Sequence, residues 1–168
     1  MRLLKEVGYR QLSVEAIAAE AGVAKTTVYR RYRNKADLAT NALASTMSVV
    51  GRVATSDDPR GDLVAFLRQF EASMGEVGVG VISSLLGDGG DSEFLELHRQ
   101  RTIRPCQHES RRLLQRAQAL ELIRADADLD LVMEMLIGSV IARHLSGRAA
   151  PAGWPEAAVA TLWEGLRI

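Results

Sequence analysis

The sequence lacks most of what would mark an enzyme, a secreted protein or a membrane protein. Of its 168 residues only Cys106 is a cysteine, so no internal disulfide can form and a reducing compartment fits. A lone thiol is either an inert group or a redox sensor. The amino terminus has no apolar core of the length a signal peptide needs, and the longest apolar stretch, Leu129 to Leu145, is broken by Asp130, Glu134 and Arg143. A cytoplasmic chain with no membrane partner is therefore expected. No glycine-flanked nucleophilic serine, phosphate-loop pattern or HExxH is present. Cys106 and His108 are two apart with no second pair at a metal-ligand spacing, and His98 lies eight residues upstream of Cys106. Aspartates and glutamates gather at predicted helix starts, where capping accounts for them. The expectation is no catalytic residue, no metal and no cofactor. An enzyme on a helical scaffold ranks last among the readings.

Net charge is also lacking, at +0 overall, which by itself argues against a nucleic-acid partner. The distribution reverses that inference. Met1 to Thr40 hold 8 Lys and Arg against 4 Asp and Glu, giving +4, while Asn41 to Ile168 hold 13 against 17, giving −4. Positive charge is concentrated at one end and the acidic remainder repels phosphate.

The positive end contains the most informative stretch, Gly8 to Leu38. Ser13 sits where an N-cap belongs, its hydroxyl able to accept from first-turn backbone N–H groups, and Ala16, Ile17 and Ala18 follow as a small apolar face. Glu15 and Glu20 are predicted on the wet side. Gly22 is predicted to end that helix in the left-handed region, with Val23 filling the corner before a second helix of about two turns starting at Lys25. In this second helix Val28 and Tyr32 share one face, leaving Lys25, Thr26, Thr27, Tyr29 and Arg30 on the other. Short hydroxyls, a phenol and cations suit phosphate oxygens and base edges, and two helices joined by a glycine turn follow the helix-turn-helix plan. Without the joint pattern, the arginines at Arg30, Arg31 and Arg33 would read as an ordinary solvated face.

This segment resembles the DNA-binding domain of the TetR family of transcriptional repressors. The resemblance is carried by Gly8-Tyr9, Ser13-Val14, the run Ala-Gly-Val-Ala-Lys-Thr-Thr-Val-Tyr from Ala21 to Tyr29, and Tyr32, Asn34-Lys35 and Leu38. It implies that Thr27, Tyr29 and Lys35 hold phosphates, that Lys25, Thr26 and Arg30 face bases, and that Ser13 belongs to the same DNA-binding set. Family members usually carry a whole helix before the Gly-Tyr pair. Here Met1 to Val7 precede it, so either the chain is a truncated or mis-started version or its first helix is about half length. A non-DNA-binding ligand-binding or protein-pairing module, with a vestigial helix-turn-helix, is the alternative.

The remainder reads as helices. Lys35 to Val53 is predicted as one connecting helix with Leu38, Leu43, Met47, Val50 and Val53 along it, followed by a loop from Thr55 to Arg60. Asp62 is predicted to cap a helix bearing Leu63, Phe66, Leu67, Phe70 and Met74. Val79 to Leu86 forms a short apolar helix bounded by glycines. Ser92 begins a long tract to about Glu121, kinked near Ile103 because Pro105 has no N–H, with Leu113, Leu114, Ala117 and Leu120 inward. Asp126 and Asp128 open Leu129 to Leu145, apolar nearly all round, which requires cover on two sides. Gly138 within it suits close approach of another backbone. Pro155 opens a last helix with Ala158, Val159, Leu162, Trp163 and Leu166 on its stripe.

The expected fold is all-α. A helix-turn-helix three-helix domain at 1–45 precedes an antiparallel helical bundle at 46–168 for ligand binding and dimerisation. Two terminal apolar helices, 129–145 and 155–167, exceed what one chain can cover and imply a four-helix homodimer interface, which the family resemblance implies too. The Arg-Ala-Asp-Ala-Asp run with the helix after it resembles one subclass of the family's carboxy-terminal domains. Phe66, Phe70, Met74, Met133, Ile137 and His144 form a candidate ligand-binding set, because aromatic and methionine side chains make an adaptable lining. The same spacing also describes an ordinary core, and His144 at a helix end also suits half exposure beside the helix dipole. The partners implied are a double-stranded operator and a small apolar or amphipathic effector.

Overall fold

The computed structural model describes residues 1–47, 53–78, 81 and 91–167, and all regular structure among them is helical. The chain divides into two compact units, each discontinuous in sequence: Met1–Ser48 with Glu76–Ile103, and Val49–Gly75 with Arg104–Ile168.

In the first unit, α1 (Arg2–Gln11) is interrupted at Gly8, whose φ of 70° and ψ of 169° leave the helical region. A side chain would be strained there, and the break turns Tyr9 into the interior. Helix α2 (Val14–Glu20) opens on Ser13, whose Oγ accepts from the Ala16 N–H at 3.1 Å, as the sequence predicts. Gly22 at φ 65° ends it. Helix α3 (Lys25–Arg31) follows, then α4 (Lys35–Met47). The expected continuation of α4 to Val53 crosses 48–52, outside the described residues, as is Val50. Val53 itself is not helical; it is buried, and its N–H donates to Glu109 Oε1 at 2.8 Å.

Val23 is also placed differently from expectation. It is 41% exposed, and the corner is instead filled by Val14, Ala18 and Val28, with Tyr32 and Leu38 packed against them. The Val23 N–H bonds back to the Ala18 carbonyl at 3.0 Å, closing the end of α2. Backbone bonding fixes the turn and leaves the side chain outside.

A later segment completes this unit. Asp91 caps α6 (Ser92–His98), accepting from the Glu93 and Phe94 N–H groups, and Phe94 is buried. The tract then widens into a π turn over Arg99–Ile103 before α7 (Arg104–Ala119). The expected kink thus takes the form of a wider turn. Pro105 supplies no N–H, and in a regular α-helix a proline ring would clash with the carbonyl four residues back.

In the second unit, α5 (Pro59–Val77) starts at its proline, the residue preorganised for the first helical position. Asp62 is therefore inside the first turn and not the cap. Its carboxylate reaches back to the Ser56 N–H at 3.0 Å and the Ser56 hydroxyl at 2.7 Å, and it takes Arg116 Nη1 at 2.8 Å. Helix α5 runs through Gly75, and only Gly78, at φ 84°, leaves it. Of the predicted helix from Val79 to Leu86, Val81 alone is described; it belongs to the first unit and is helical and buried. Leu113, Leu114 and Ala117 of α7 face inward, whereas Leu120 is exposed. Helix α7 has ended by then: Glu121 adopts φ 54°, the Leu122 N–H returns to the Ala117 carbonyl at 3.0 Å, and Ile123 takes the inward place.

Helix α8 (Leu129–Leu145) is capped by Asp128, and α9 (Trp154–Leu166) has Pro155 in its first turn. Leu129, Val132, Met133, Leu136 and Val140 bury one side of α8. On its other side Leu131, Met135, Gly138, Ala142 and Leu145 are exposed at alternating steps of four and three. No helix among the described residues is long and apolar enough to cross a membrane.

Candidate nucleic-acid interface

Helix α3 is held by one buried residue. Val28 sits in the small cluster with α2, and Lys25, Thr26, Thr27, Tyr29, Arg30 and Arg31 all remain exposed. The predicted outward set is therefore outward in the structure. Lys25 forms an ion pair with Glu15 of α2 and lies 5.6 Å from the centre of the Tyr29 ring. The hydrogen bond between the two raises the Lys25 pKa and lowers that of Glu15. Arg31 stands over the Tyr32 ring at 5.7 Å. The Ser13 hydroxyl is occupied as the α2 cap.

Lys35 is placed less simply. Its ammonium donates to the Tyr9 carbonyl at 3.2 Å and the Arg10 carbonyl at 3.4 Å, and sits 4.5 Å from the Tyr9 ring centre. It thus bonds carbonyls at the end of α1, where a cation also meets the negative end of the helix dipole. Tyr9 in turn stacks on Phe94 at 3.9 Å and donates its hydroxyl to Asp91 at 2.7 Å. Burial and that bond raise the Tyr9 pKa, and the Tyr9 hydroxyl holds the Asp91 carboxyl below the ordinary aspartate range.

The surface has the parts that duplex recognition needs: a short rod with hydroxyls and cations, anchored from behind by an apolar patch. Sequence reasoning missed the polar residues behind it, Asp37, Asp91 and Arg101. Asp37 lies in a capping pattern after Asn34, whose Oδ1 accepts the Asp37 N–H at 2.9 Å, and that spacing was the available signal.

Comparison with known proteins decides the family. Residues 1–42 match the model described as bacterial regulatory proteins, tetR family, and residues 53–162 match the tetracyclin repressor-like C-terminal domain. The chain belongs to the TetR family. It is accordingly a DNA-binding transcription regulator of the helix-turn-helix type. The HTH-type transcriptional regulator YdeS of Bacillus subtilis (strain 168) is 26% identical over 144 residues, covering 85% of this chain and 73% of that protein. The HTH-type regulator Rv1556 of Mycobacterium tuberculosis (strain H37Rv) is 41% identical over 78 residues, spanning 46% of this chain and 37% of that one. Among solved structures, the TetR family regulator SCO0332 superposes with a TM-score of 0.71 at 28% identity, covering 99% of this chain and 93% of its own. FadR of Bacillus subtilis, solved with stearoyl-CoA, gives 0.80 at 18% identity, with coverage of 99% and 95%; that identity carries the fold alone.

In the TetR-like second unit, the candidate effector residues lie on α5 and α8. Phe66, Phe70, Met74 and Met133 are buried, and Ile137 and His144 are half-buried. His144 Nδ1 is 3.0 Å from the Val140 carbonyl of its own helix, and its Nε2 lies 4.0 Å from where a Cβ on Gly75 would stand. The two helices therefore approach closely at that point. Cys106 is buried, and burial pushes its thiol up to about 12. Among the described residues no three His, Cys, Asp or Glu side chains gather as metal ligands would.

Proposed function

We propose that the protein is a ligand-responsive repressor that binds a palindromic operator as a homodimer in the cytoplasm. The observation that carries this reading is the outward face of α3; on it Thr27 and Tyr29 would hold phosphates, together with Lys35 at the start of α4, while Lys25, Thr26 and Arg30 would face bases. Residues 1–45 serve as the reader and 46–168 as the effector and pairing domain. A two-turn helix offers too few contacts alone, so two copies must reach half-sites roughly 34 to 36 Å apart. The exposed ridge of α8, together with α9, provides an isologous surface for that pairing. Membership of the TetR family disfavours the non-DNA-binding alternative.

The effector is a small apolar or amphipathic molecule, a reading supported by the apolar residues Phe66, Phe70, Met74, Met133 and Ile137, with His144 as the polar contact. It favours a spacing of the readers that no longer matches the operator. A hundredfold loss of operator affinity requires that it bind this state better by about 2.7 kcal/mol. Selection of bound sequences from random DNA tests the central claim. A two-fold symmetric site should be enriched, with affinity falling steeply as salt rises. Failure to enrich any sequence, or a salt-insensitive complex, refutes it.

A further inference from the structure

Behind the recognition helix, one arginine from a distant part of the sequence holds the corner where α3 passes into α4. Asp37, in the first turn of α4, is a buried carboxylate. Its Oδ2 accepts from the Arg33 backbone N–H at 2.9 Å, two residues past the end of α3. Its Oδ1 takes Arg101 Nη2 at 2.6 Å, and its backbone carbonyl takes Arg101 Nη1 at 3.1 Å. The same Nη1 donates to the hydroxyl of Thr40, one turn further along α4, at 2.7 Å. The Arg33 N–H and the Arg101 guanidinium together hold Asp37 ionised, its pKa lowered. A buried carboxylate keeps its charge only with such partners, so the geometry of the corner depends on them.

Neighbouring contacts close the same joint. Asn34 caps α4 through its Oδ1 and donates its amide to both carboxylate oxygens of Glu93, at 3.1 and 2.9 Å. The Arg101 backbone lies in the π turn that precedes Pro105. An α-helical turn there would rotate it by roughly 100°, one residue's step, and carry its fork off Asp37.

We propose that Arg101 is a positioning residue for DNA reading: by clamping Asp37 and Thr40 it fixes the angle at which α3 meets a duplex, without itself touching DNA. This rests on the reading of residues 1–45 as a DNA reader. The guanidinium fork is essential to the argument, because its two amino groups serve three acceptors that a single ammonium cannot span.

The test uses the full chain, the operator obtained by selection and a random duplex of equal length, with affinities measured over a range of salt. R101A should lose about tenfold or more in operator affinity. Its affinity for the random duplex and its salt slope should stay as in the wild type, because phosphate contacts are untouched. R101K, which keeps the charge and stem, should fail to rescue; if the alanine variant does not fold, R101K carries the test, with D37N beside it. A role confined to stability would lower binding to both duplexes alike and leave their ratio unmoved, which overturns the proposal. A salt slope shallower by about 0.9 would make Arg101 a phosphate contact and overturn it as well. Unchanged operator binding by R101A and R101K refutes this inference alone, whereas a wild-type chain that selects no sequence refutes the DNA reading and this inference with it.

Discussion

Val23 in the turn and Val28 in the middle of α3 stand five residues apart, and replacing each with alanine should have very different results. Val28 is 8% exposed and is the one residue of α3 buried against α2. Truncating it removes two methyl groups from the cluster with Val14 and Ala18. At about 0.8 kcal/mol each, plus a small cavity term, the loss is about 2 kcal/mol. Because Val28 is the residue of α3 buried in this patch, the loss falls on local opening of that helix. The open fraction should rise about 30-fold, the factor that 2 kcal/mol represents at 25 °C. Val23, at 41% exposure, should cost under about 0.5 kcal/mol. Amide hydrogen exchange provides the assay. The Tyr32 N–H, bonded to the Val28 carbonyl at 2.9 Å, reports the end of α3. It should exchange about 30-fold faster in V28A and nearly unchanged in V23A, under conditions where exchange follows the opening equilibrium. Operator affinity falls in V28A only once the closed fraction drops well below one. Equal costs at the two positions would refute the claim that α3 is pinned through Val28.

The remaining predictions concern pairing, acid stability and the second unit. M135E places a carboxylate on the exposed ridge of α8, where Met135 is 50% exposed in the single chain. Sedimentation should show a monomer, with operator affinity lower by roughly 10²- to 10⁴-fold as the second half-site contact is lost. A dimer of unchanged stability would move the interface elsewhere. The lowered pKa values of Asp37 and Asp91 fix the direction of acid unfolding. Each carboxylate contributes stability that is fully present above its unfolded value, about 3.9, and is lost as pH falls through the lower folded value. D37N should therefore flatten the loss of stability below about pH 4, measured by denaturant titration at successive pH values. D62A removes the acceptor of Arg116 Nη1 and of the Ser56 N–H, and should cost about 2 to 3 kcal/mol in urea unfolding. Cys106, with its thiol raised to about 12, should react with a thiol reagent at pH 8 only as fast as the second unit opens.

Much of the first forty residues was legible because local chemistry fixes them. The Ser13 cap, the left-handed Gly22 and the four-residue spacing of Val28 and Tyr32 are set by neighbours in sequence, and each stands where the sequence places it. Val23 was misread because an apolar residue in a turn looks like a plug, although backbone bonding to Ala18 already closes the turn. Reading Asp62 as the cap places the helix start four residues late, because Pro59 takes the first helical position. The Arg101 clamp and the docking of Tyr9 on Phe94 were invisible, since they join positions 64 and 85 residues apart and no spacing rule reaches that far. Pro105 revealed a disruption but not its kind, because a kink, a break and a π turn all relieve the same missing N–H.

That α3 and the ridge of α8 belong to different units has a consequence for mixtures of chains. Damage confined to the recognition helix leaves Leu131, Met135, Gly138, Ala142 and Leu145 unchanged in sequence, so a subunit with a disabled reader would keep the proposed pairing surface. In the proposed dimer, such a subunit would titrate intact ones into hybrids holding half an operator grip. One damaged gene copy would then silence the product of a sound one, and the severity would follow the ratio of the two chains.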